Sequence, residues 1–355
     1  MKKVGKVLLK ILKWLLIVLI FAVILFFIVR FVGKKINGRT PQGGVNESMY
    51  VEINGTKQWI SIYGEDLNNP VLLYLHGGPG SSTSSYDYAF TRKWADVYTV
   101  VTWDQRNCGK SYSAEQNGTE LTYDMLMKDG IEMTEFIRDY LGKDRITLLG
   151  HSWGSIYGCN LVLEHPEYYD AYIGTGQLID LYENEVAFKE EASKWVGDGE
   201  DQLLLDRLTT DDFSYDYWDA RNTLMEKYGY GFFAGGIDYN LEAAQIFNPY
   251  YSLADFKEYM FADGTVYMDF IKSDEFQKFS LSGRAIYNVP FFNINGDRDY
   301  QTNYLLAQIY FDELEAPYKK MYIMKDTTHG LLESKSEEFS TILHEIAEIN
   351  SDIKN

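Results

Sequence analysis

The chain has 355 residues, of which 46% are hydrophobic, 16% aromatic and 24% charged. This length can bury the core of one large α/β domain, so size does not exclude an enzyme. Nine of the 33 basic residues and none of the 52 acidic residues lie in the first 40 positions. The rest of the chain is therefore strongly negative, which argues against nucleic acid as a partner.

The first feature in chain order is an apolar segment long enough to cross a membrane. Residues 14–29 are unbroken by charge, and flanking apolar residues extend the run to the roughly 20 that a spanning helix needs. A cleaved signal peptide has a similar pattern, but no small-x-small cleavage site precedes Lys34. Residues 1–40 are therefore predicted to be a single-pass membrane anchor and tether, with the body outside the cytoplasm.

The body opens with a hairpin signal and then changes pattern. Asn54-Gly55 separates two short alternating segments, which is typical of two antiparallel strands. Short apolar runs then alternate with helical stretches, which predicts a mostly parallel sheet with helices on both faces. This rhythm is absent from residues 178–287, which are predicted to form an inserted, mainly helical cap. The core is assigned to residues 41–177 and 288–355.

A glycine-flanked serine lies between a predicted strand and a predicted helix. The sequence Gly150-His151-Ser152-Trp153-Gly154 follows the apolar run 146–149 and precedes the helical run 155–163. A sharp strand-to-helix turn requires glycine on both sides, because side chains there would clash. This context predicts that Ser152 is a nucleophile lifted clear of the sheet.

A serine nucleophile needs a base, and the base needs an acid to orient it. Of five histidines, His329 is in a polar loop just beyond the last predicted strand, where active-site loops of parallel sheets collect. Asp297 and Asp299 both follow the preceding strand. Asp299 is farther from the strand end and better placed to reach the histidine, and the chain order Ser, Asp, His is that of α/β-hydrolases.

Backbone N–H groups are also needed to stabilise a developing oxyanion. One is expected from Trp153, the residue after the serine, and another from the loop His76-Gly77-Gly78-Pro79-Gly80. Its glycines allow the backbone to approach a substrate closely. No Lys-Ser or Lys-Thr follows this loop, which argues against a phosphate-binding P-loop.

Three motifs together resemble the proline iminopeptidase family of α/β-hydrolases. They are HGGPG at 76–80, DQRNCGKS at 104–111 and GHSWGS at 150–155, and the likeness covers roughly residues 49–176 and 288–349. The resemblance implies an acyl-enzyme on Ser152, Asp299 as the acid at the end of a G-x-x-D motif, and Gly78 and Trp153 as oxyanion donors. It also implies that Asp104 and Arg106 brace the HGGPG loop.

The resemblance further implies release of an N-terminal residue, often proline, from small peptides, with cap glutamates binding the free amine. Glu183 and Glu185 are candidates by position alone, and solvated surface side chains are the alternative for either. An esterase or lipase-like hydrolase would use the same triad, and a non-catalytic surface binding module could use the same fold. No cofactor or metal is required by any of these hypotheses.

Overall fold

The computed structural model describes residues 2–197, 199–209 and 213–354. Met1, the first residue of the predicted anchor, and Asn355, the last residue of the predicted core, lie outside the described residues. Eight strands form one sheet: β1 (Val45–Ile53), β2 (Thr56–Gly64), β3 (Val71–Leu75), β4 (Thr99–Asp104), β5 (Ile146–His151), β6 (Tyr169–Thr175), β7 (Phe291–Gly296) and β8 (Lys319–Met324). Their spatial order is β1-β2-β4-β3-β5-β6-β7-β8. The strands from β4 to β8 are parallel to one another, and β2 is antiparallel to β1 and β4.

Helices supply the connections. They are α1 (Lys2–Asn37), α2 (Tyr88–Thr91), α3 (Tyr123–Leu141), α4 (Trp153–Glu164), α5 (Leu181–Val196), α6 (Gln202–Asp206), α7 (Tyr215–Lys227), α8 (Leu241–Ile246), α9 (Leu253–Phe261), α10 (Thr265–Ile271), α11 (Asp274–Gln277), α12 (Tyr304–Glu313), α13 (Leu331–Ser334) and α14 (Ser336–Lys354). Short 3-10 helices occur at Arg92–Trp94, Gly109–Ser111, Ala114–Gln116 and Pro166–Tyr168. The strand order and directions given above confirm the predicted mostly parallel sheet.

The central strands are apolar on both sides because each side packs against helices. In β3 every residue is buried, with Leu73 and Leu75 in one hydrophobic cluster and Leu72 and Tyr74 in the other. Alternate side chains of a strand point to opposite faces, so the two clusters lie on opposite faces of the sheet. This double burial is why the strand appears in the sequence as an unbroken apolar run.

The stretch between β6 and β7 contains α5 to α11, and its described residues form no strand of the sheet. These helices occupy the segment predicted as the cap and rest above the carboxyl ends of the parallel strands. The division of the chain at residues 178 and 287 into core and cap stays a prediction.

The N-terminal helix α1 has the length and composition of a membrane span. Within Gly5–Asn37, an 18-residue apolar window has a mean hydropathy of 3.2, and none of this window is buried. A signal sequence near an N-terminus has the same properties, so membrane crossing stays a prediction. The end of α1 contacts the body: Arg30 Nη2 donates to the carbonyl of Tyr251 at 2.9 Å, and Asn37 Nδ2 to that of Phe247 at 3.0 Å.

Candidate active site

Ser152 lies in the sharp turn between β5 and α4. Its backbone has φ 57° and ψ −122°, which is strained for a residue with a Cβ. A Cβ at Gly150 would lie 2.1 Å from the carbonyl oxygen of Gly154, and one at Gly154 would lie 2.2 Å from that of Leu75. Only glycine fits on either side of the serine. The Ser152 side chain makes no capping hydrogen bond to α4, so its hydroxyl is not committed to the helix.

His329 and Asp299 form a buried pair in the loops that follow β8 and β7. The distance from His329 Nδ1 to Asp299 Oδ2 is 2.7 Å, and both side chains are 1% exposed. Asp299 Oδ1 also accepts from the backbone N–H of Gln301 at 2.9 Å and of Thr302 at 3.1 Å. These donors hold the carboxylate in one orientation. Asp297 is instead 3.3 Å from Lys325 Nζ and 22% exposed.

The loops around the turn approach one another closely. A Cβ at Gly176, just after β6, would lie 2.8 Å from His329 Cε1, and φ there is 51°. A Cβ at Gly77 would lie 3.0 Å from Ser152 Cβ. The ring centroid of His151 is 4.7 Å from that of His329, and burial and the neighbouring His329 lower the pKa of His151 well below its ordinary value. His151 is therefore a neutral packing partner for His329.

A cleft of about 290 Å³ opens at Ser152. Gly78 and Trp153 line it beside the serine, and so does Thr302, whose Oγ1 lies 3.1 Å from Asp299 Oδ2. Trp153 is the first residue of α4, where backbone N–H groups have no partner within the helix. The cleft thus brings Gly78 and Trp153 together with Ser152 at the edge of the Asp299–His329 pair.

A family model described as the alpha/beta hydrolase fold matches residues 70–335. The chain belongs to this family. The predicted fold class, an α/β-hydrolase with a mostly parallel sheet, is confirmed.

Two relatives of this α/β-hydrolase are peptidases by name. The probable aminopeptidase YbaC of Bacillus subtilis is 26% identical over 286 residues, which is 79% of this chain and 89% of that protein. The proline iminopeptidase of Clostridioides difficile is 31% identical over 184 residues, or 50% of this chain and 60% of that protein. The resemblance seen in the sequence motifs is confirmed by these relatives.

Solved structures share the fold at lower identity. The proline iminopeptidase of Mycobacterium smegmatis superposes with a TM-score of 0.61 at 18% identity, covering 87% of this chain and all of that one. An epoxide hydrolase of Vigna radiata superposes with a TM-score of 0.54 at 20% identity, covering 85% of this chain and 98% of that one. At such identities the likeness concerns the fold alone.

The two glutamates singled out in the sequence lie in different places in this α/β-hydrolase. Glu185 lines the cleft, is 1% exposed, and its Oε2 accepts from Arg221 Nε at 2.6 Å and from Tyr217 OH at 2.5 Å. Glu183 is exposed, accepts from Ser282 Oγ at 3.2 Å and is not among the residues that line the cleft. The sequence carried no signal for Arg221, a buried arginine on the cap helix α7.

The DQRNCGKS segment supports the site in a way that differs partly from expectation. Asp104 is buried, and its Oδ2 accepts from Ser84 Oγ at 2.8 Å and from the backbone N–H of Lys110 at 2.7 Å. It therefore braces the chain just beyond the HGGPG loop. Arg106, expected to brace the same loop, instead pairs with Asp129 of α3 at 2.6 Å and donates to the carbonyl of Asn54 at 3.1 Å.

Proposed function

We propose that this α/β-hydrolase is a serine hydrolase that works through an acyl-enzyme on Ser152. The observation that carries the proposal is the buried 2.7 Å contact between His329 Nδ1 and Asp299 Oδ2, beside a strained turn that presents Ser152 to the cleft. A carboxylate that accepts from Nδ1 fixes the tautomer in which Nε2 is free to take a proton. This is the arrangement that nucleophilic catalysis by serine requires.

The reaction follows from these roles. His329 Nε2 takes the hydroxyl proton as Ser152 Oγ attacks the substrate carbonyl, and the Gly78 and Trp153 N–H groups stabilise the oxyanion. Collapse of the tetrahedral intermediate breaks the bond to the leaving group, which receives the proton from His329. Water then attacks the acyl-enzyme with His329 again as base, releasing the acid and restoring Ser152.

The proposed substrate is a small peptide from which the N-terminal residue, proline-like in character, is released. A cleft of about 290 Å³ suits one residue and its neighbour better than a long chain. Leu178, Leu181, Met268, Ile271 and Phe276 contribute an apolar lining. The two relatives with peptidase names support the same substrate class.

Glu185, rather than Glu183, is the side chain from which we expect contact with the substrate amine. Among the lining residues in the described part of the chain it is the one carboxylate, and its Oε1 accepts one hydrogen bond, from Asn184 Nδ2 at 2.9 Å. A carboxylate oxygen accepts two, so Oε1 keeps capacity for an ammonium donor. Glu185→Gln should therefore raise KM for free-amine substrates, and the matched change Glu183→Gln at the exposed position should not.

An esterase or lipase-like hydrolase is the second candidate, because the apolar cleft lining would also accept an acyl chain. The non-catalytic binding module is the weakest hypothesis, since it gives no reason for a strained serine beside a buried Asp–His pair. In each case the proposed setting is an extracytoplasmic domain held on the membrane by α1. The length and apolar character of Gly5–Asn37 support the membrane anchor.

The test uses the full chain purified in detergent, wild type beside Ser152→Ala, with aminoacyl-p-nitroanilides, their N-acetylated counterparts and p-nitrophenyl esters. We expect free-amine amides to be cleaved, N-acetylated amides to be spared, and Ser152→Ala to abolish turnover. Turnover confined to esters and dependent on Ser152 would select the esterase. Activity that survives in Ser152→Ala would refute the serine mechanism.

A further inference from the structure

We propose that Gln105 is a positioning residue that holds the two oxyanion loops at a fixed separation. These are the two segments that carry the proposed oxyanion donors: the loop His76–Gly80, and the turn at Ser152 that leads into Trp153. Its Nε2 donates to the carbonyl oxygen of His76 at 3.0 Å, and its Oε1 accepts from Trp153 Nε1 at 3.0 Å. His76 begins the loop that carries Gly78, and Trp153 is the other proposed oxyanion donor. One buried amide therefore bonds to both loops at once, and the inference rests on the proposed serine-hydrolase function.

The sheet order explains why a residue after β4 has this role. In the sheet, β3 lies between β4 and β5. The Gly78 loop follows β3, and Ser152 and Trp153 follow β5. Gln105 follows Asp104 at the end of β4 and reaches across the end of β3. The two segments begin from neighbouring parallel strands that are paired as far as Leu75 and Gly150, and Gln105 joins them beyond the end of that pairing.

A primary amide is suited to this position by its chemistry. It presents a donor and an acceptor on one planar group, so Gln105 satisfies a carbonyl on one loop and an indole N–H on the other. Gln105 is 3% exposed, and water cannot readily replace either bond. A methionine of similar shape makes neither bond, and a glutamate keeps the acceptor for Trp153 but loses the donor for His76.

The His76 end of the bridge is itself rigid. His76 Nδ1 donates to the carbonyl of Gly77 at 2.8 Å, which leaves Nε2 to accept from the backbone N–H of Gln105 at 3.2 Å. Burial lowers the pKa of His76 to about 4, so the ring stays neutral and this arrangement persists at physiological pH. Movement of Gln105 is thereby transmitted to the Gly77-Gly78 backbone. Oxyanion donors act only when they are held close to the position of the developing charge.

A matched control exists in Gln58. It is fully buried and likewise accepts from an indole N–H, that of Trp103 at 2.8 Å, while its Nε2 donates to Asp129 at 3.2 Å. Its hydrogen-bond partners Thr56, Trp103 and Asp129 lie in β2, β4 and α3, outside the His76–Gly80 loop and the turn at Ser152. Gln58→Met therefore removes an equivalent indole hydrogen bond at comparable burial, together with the bonds to Asp129 and Thr56, without touching the proposed bridge.

The experiment compares wild type, Gln105→Met, Gln105→Glu and Gln58→Met in the full chain. The first readout is the rate at which a fluorophosphonate labels Ser152, because its phosphoryl oxygen occupies the oxyanion position. The second is kcat and KM on an aminoacyl-p-nitroanilide. We expect Gln105→Met to lower the labelling rate and kcat by about 10- to 100-fold, somewhat less than loss of a donor itself. KM should change by less than about threefold. Gln105→Glu places a carboxylate against the carbonyl oxygen of His76 at a buried position, so it should lose at least as much as Gln105→Met.

Thermal unfolding separates this effect from a general loss of stability. Gln105→Met and Gln58→Met should lose comparable stability, while Gln58→Met keeps its labelling rate within about twofold of wild type. Equal labelling of Gln105→Met and wild type would overturn the inference, as would equal loss in the two methionine variants. If Gln105→Met does not fold, the smaller neutral change Gln105→Leu, compared with Gln58→Leu, decides by the same criteria.

The same labelling and turnover measurements distinguish failure of the Gln105 inference from failure of the proposed function. Ser152-dependent labelling of the wild type without turnover of any aminoacyl amide would overturn the peptidase assignment and leave the Gln105 comparison intact. A wild-type chain that the fluorophosphonate does not label would overturn both.

Discussion

Arg221 on the cap helix α7 donates two hydrogen bonds to Gln301 in the loop after β7. Its Nη1 lies 2.7 Å from the side-chain oxygen of Gln301, and its Nη2 lies 2.9 Å from the carbonyl oxygen. The backbone N–H of Gln301 in turn donates to Asp299 Oδ1 at 2.9 Å. Because Nε of the same arginine pairs with Glu185, one guanidinium ties the wall of the cleft to the loop that carries the carboxylate beside His329.

Removing this guanidinium should cost more stability than removing a surface arginine. Arg221→Met leaves Glu185 buried without its counter-charge, and such a change costs about 3–5 kcal/mol of unfolding free energy. Arg207→Met is the control, because Arg207 is 30% exposed and pairs with Asp216 at the surface. There we expect a much smaller loss of unfolding free energy, because solvent screens the exposed pair.

Urea unfolding of both variants measures the difference. The double variant Arg221→Met with Glu185→Met should recover part of the loss, because no unpaired charge then remains buried. Equal destabilisation by Arg221→Met and Arg207→Met would contradict the role assigned to the buried pair.

The two candidate acids can be distinguished by activity. Asp299→Asn should lower kcat by about 10⁴, because an amide there no longer fixes the His329 tautomer that leaves Nε2 free. Asp297→Asn is the matched change two residues earlier, at a side chain that faces Lys325. We expect it to alter kcat by less than about tenfold. Steady-state kinetics with the best substrate of the panel measures both, and a larger loss for Asp297→Asn would reverse the assignment.

Gly176 offers a steric test of the position of His329. Gly176→Ala places a Cβ 2.8 Å from His329 Cε1 at a backbone φ of 51°, so we expect the ring to move and kcat to fall at least tenfold. Gly236→Ala introduces similar backbone strain at φ 79°, where nothing lies within 4 Å. Each variant should lose about 1 kcal/mol of stability from strain. Steady-state kinetics measures the activity of both variants, and urea unfolding measures their stability. Equal losses of activity in Gly176→Ala and Gly236→Ala would contradict the prediction.

Glu333 should make stability depend on pH. This carboxyl in α13 is 1% exposed, and burial, aided by the charge of Asp238, raises its pKa from 4.5 to about 7. The native state therefore binds a proton that the unfolded chain releases between about pH 4.5 and 7. Within this window the contribution of Glu333 lowers the free energy of unfolding as pH rises.

Glu333→Gln should remove that contribution, which is at most about 1.4 kcal/mol per pH unit. Urea unfolding at pH 5, 6 and 7 provides the measurement, with Glu338→Gln at a half-exposed position as the control. Identical pH slopes in wild type and Glu333→Gln would show that Glu333 is not protonated in the native state.

Local patterns in the sequence determined the fold class. The six strands β3 to β8 overlap segments predicted from short apolar runs, and β1 and β2 overlap the two alternating segments predicted on either side of Asn54-Gly55. A strand such as β3, which is buried on both faces, can hardly contain polar residues. Asn54 and Gly55 have φ of 44° and 75°, as the predicted hairpin turn requires. The turn at Ser152 was equally visible, since only glycine fits on either side of it. Such features depend on residues that are neighbours in the chain.

Only the tertiary structure decided which distant polar groups meet. Gln105 and Trp153 are 48 positions apart, and Arg221 and Gln301 are 80 apart, so no periodicity or motif spacing connects them. The same limit applied to Glu183 and Glu185, which are two positions apart on one helix yet lie respectively at the surface and in the cleft. Helical geometry separates such positions by about 200° around the axis. The packing of α5 against the loop after β7, which carries Asp299, decides which of the two side chains faces inward.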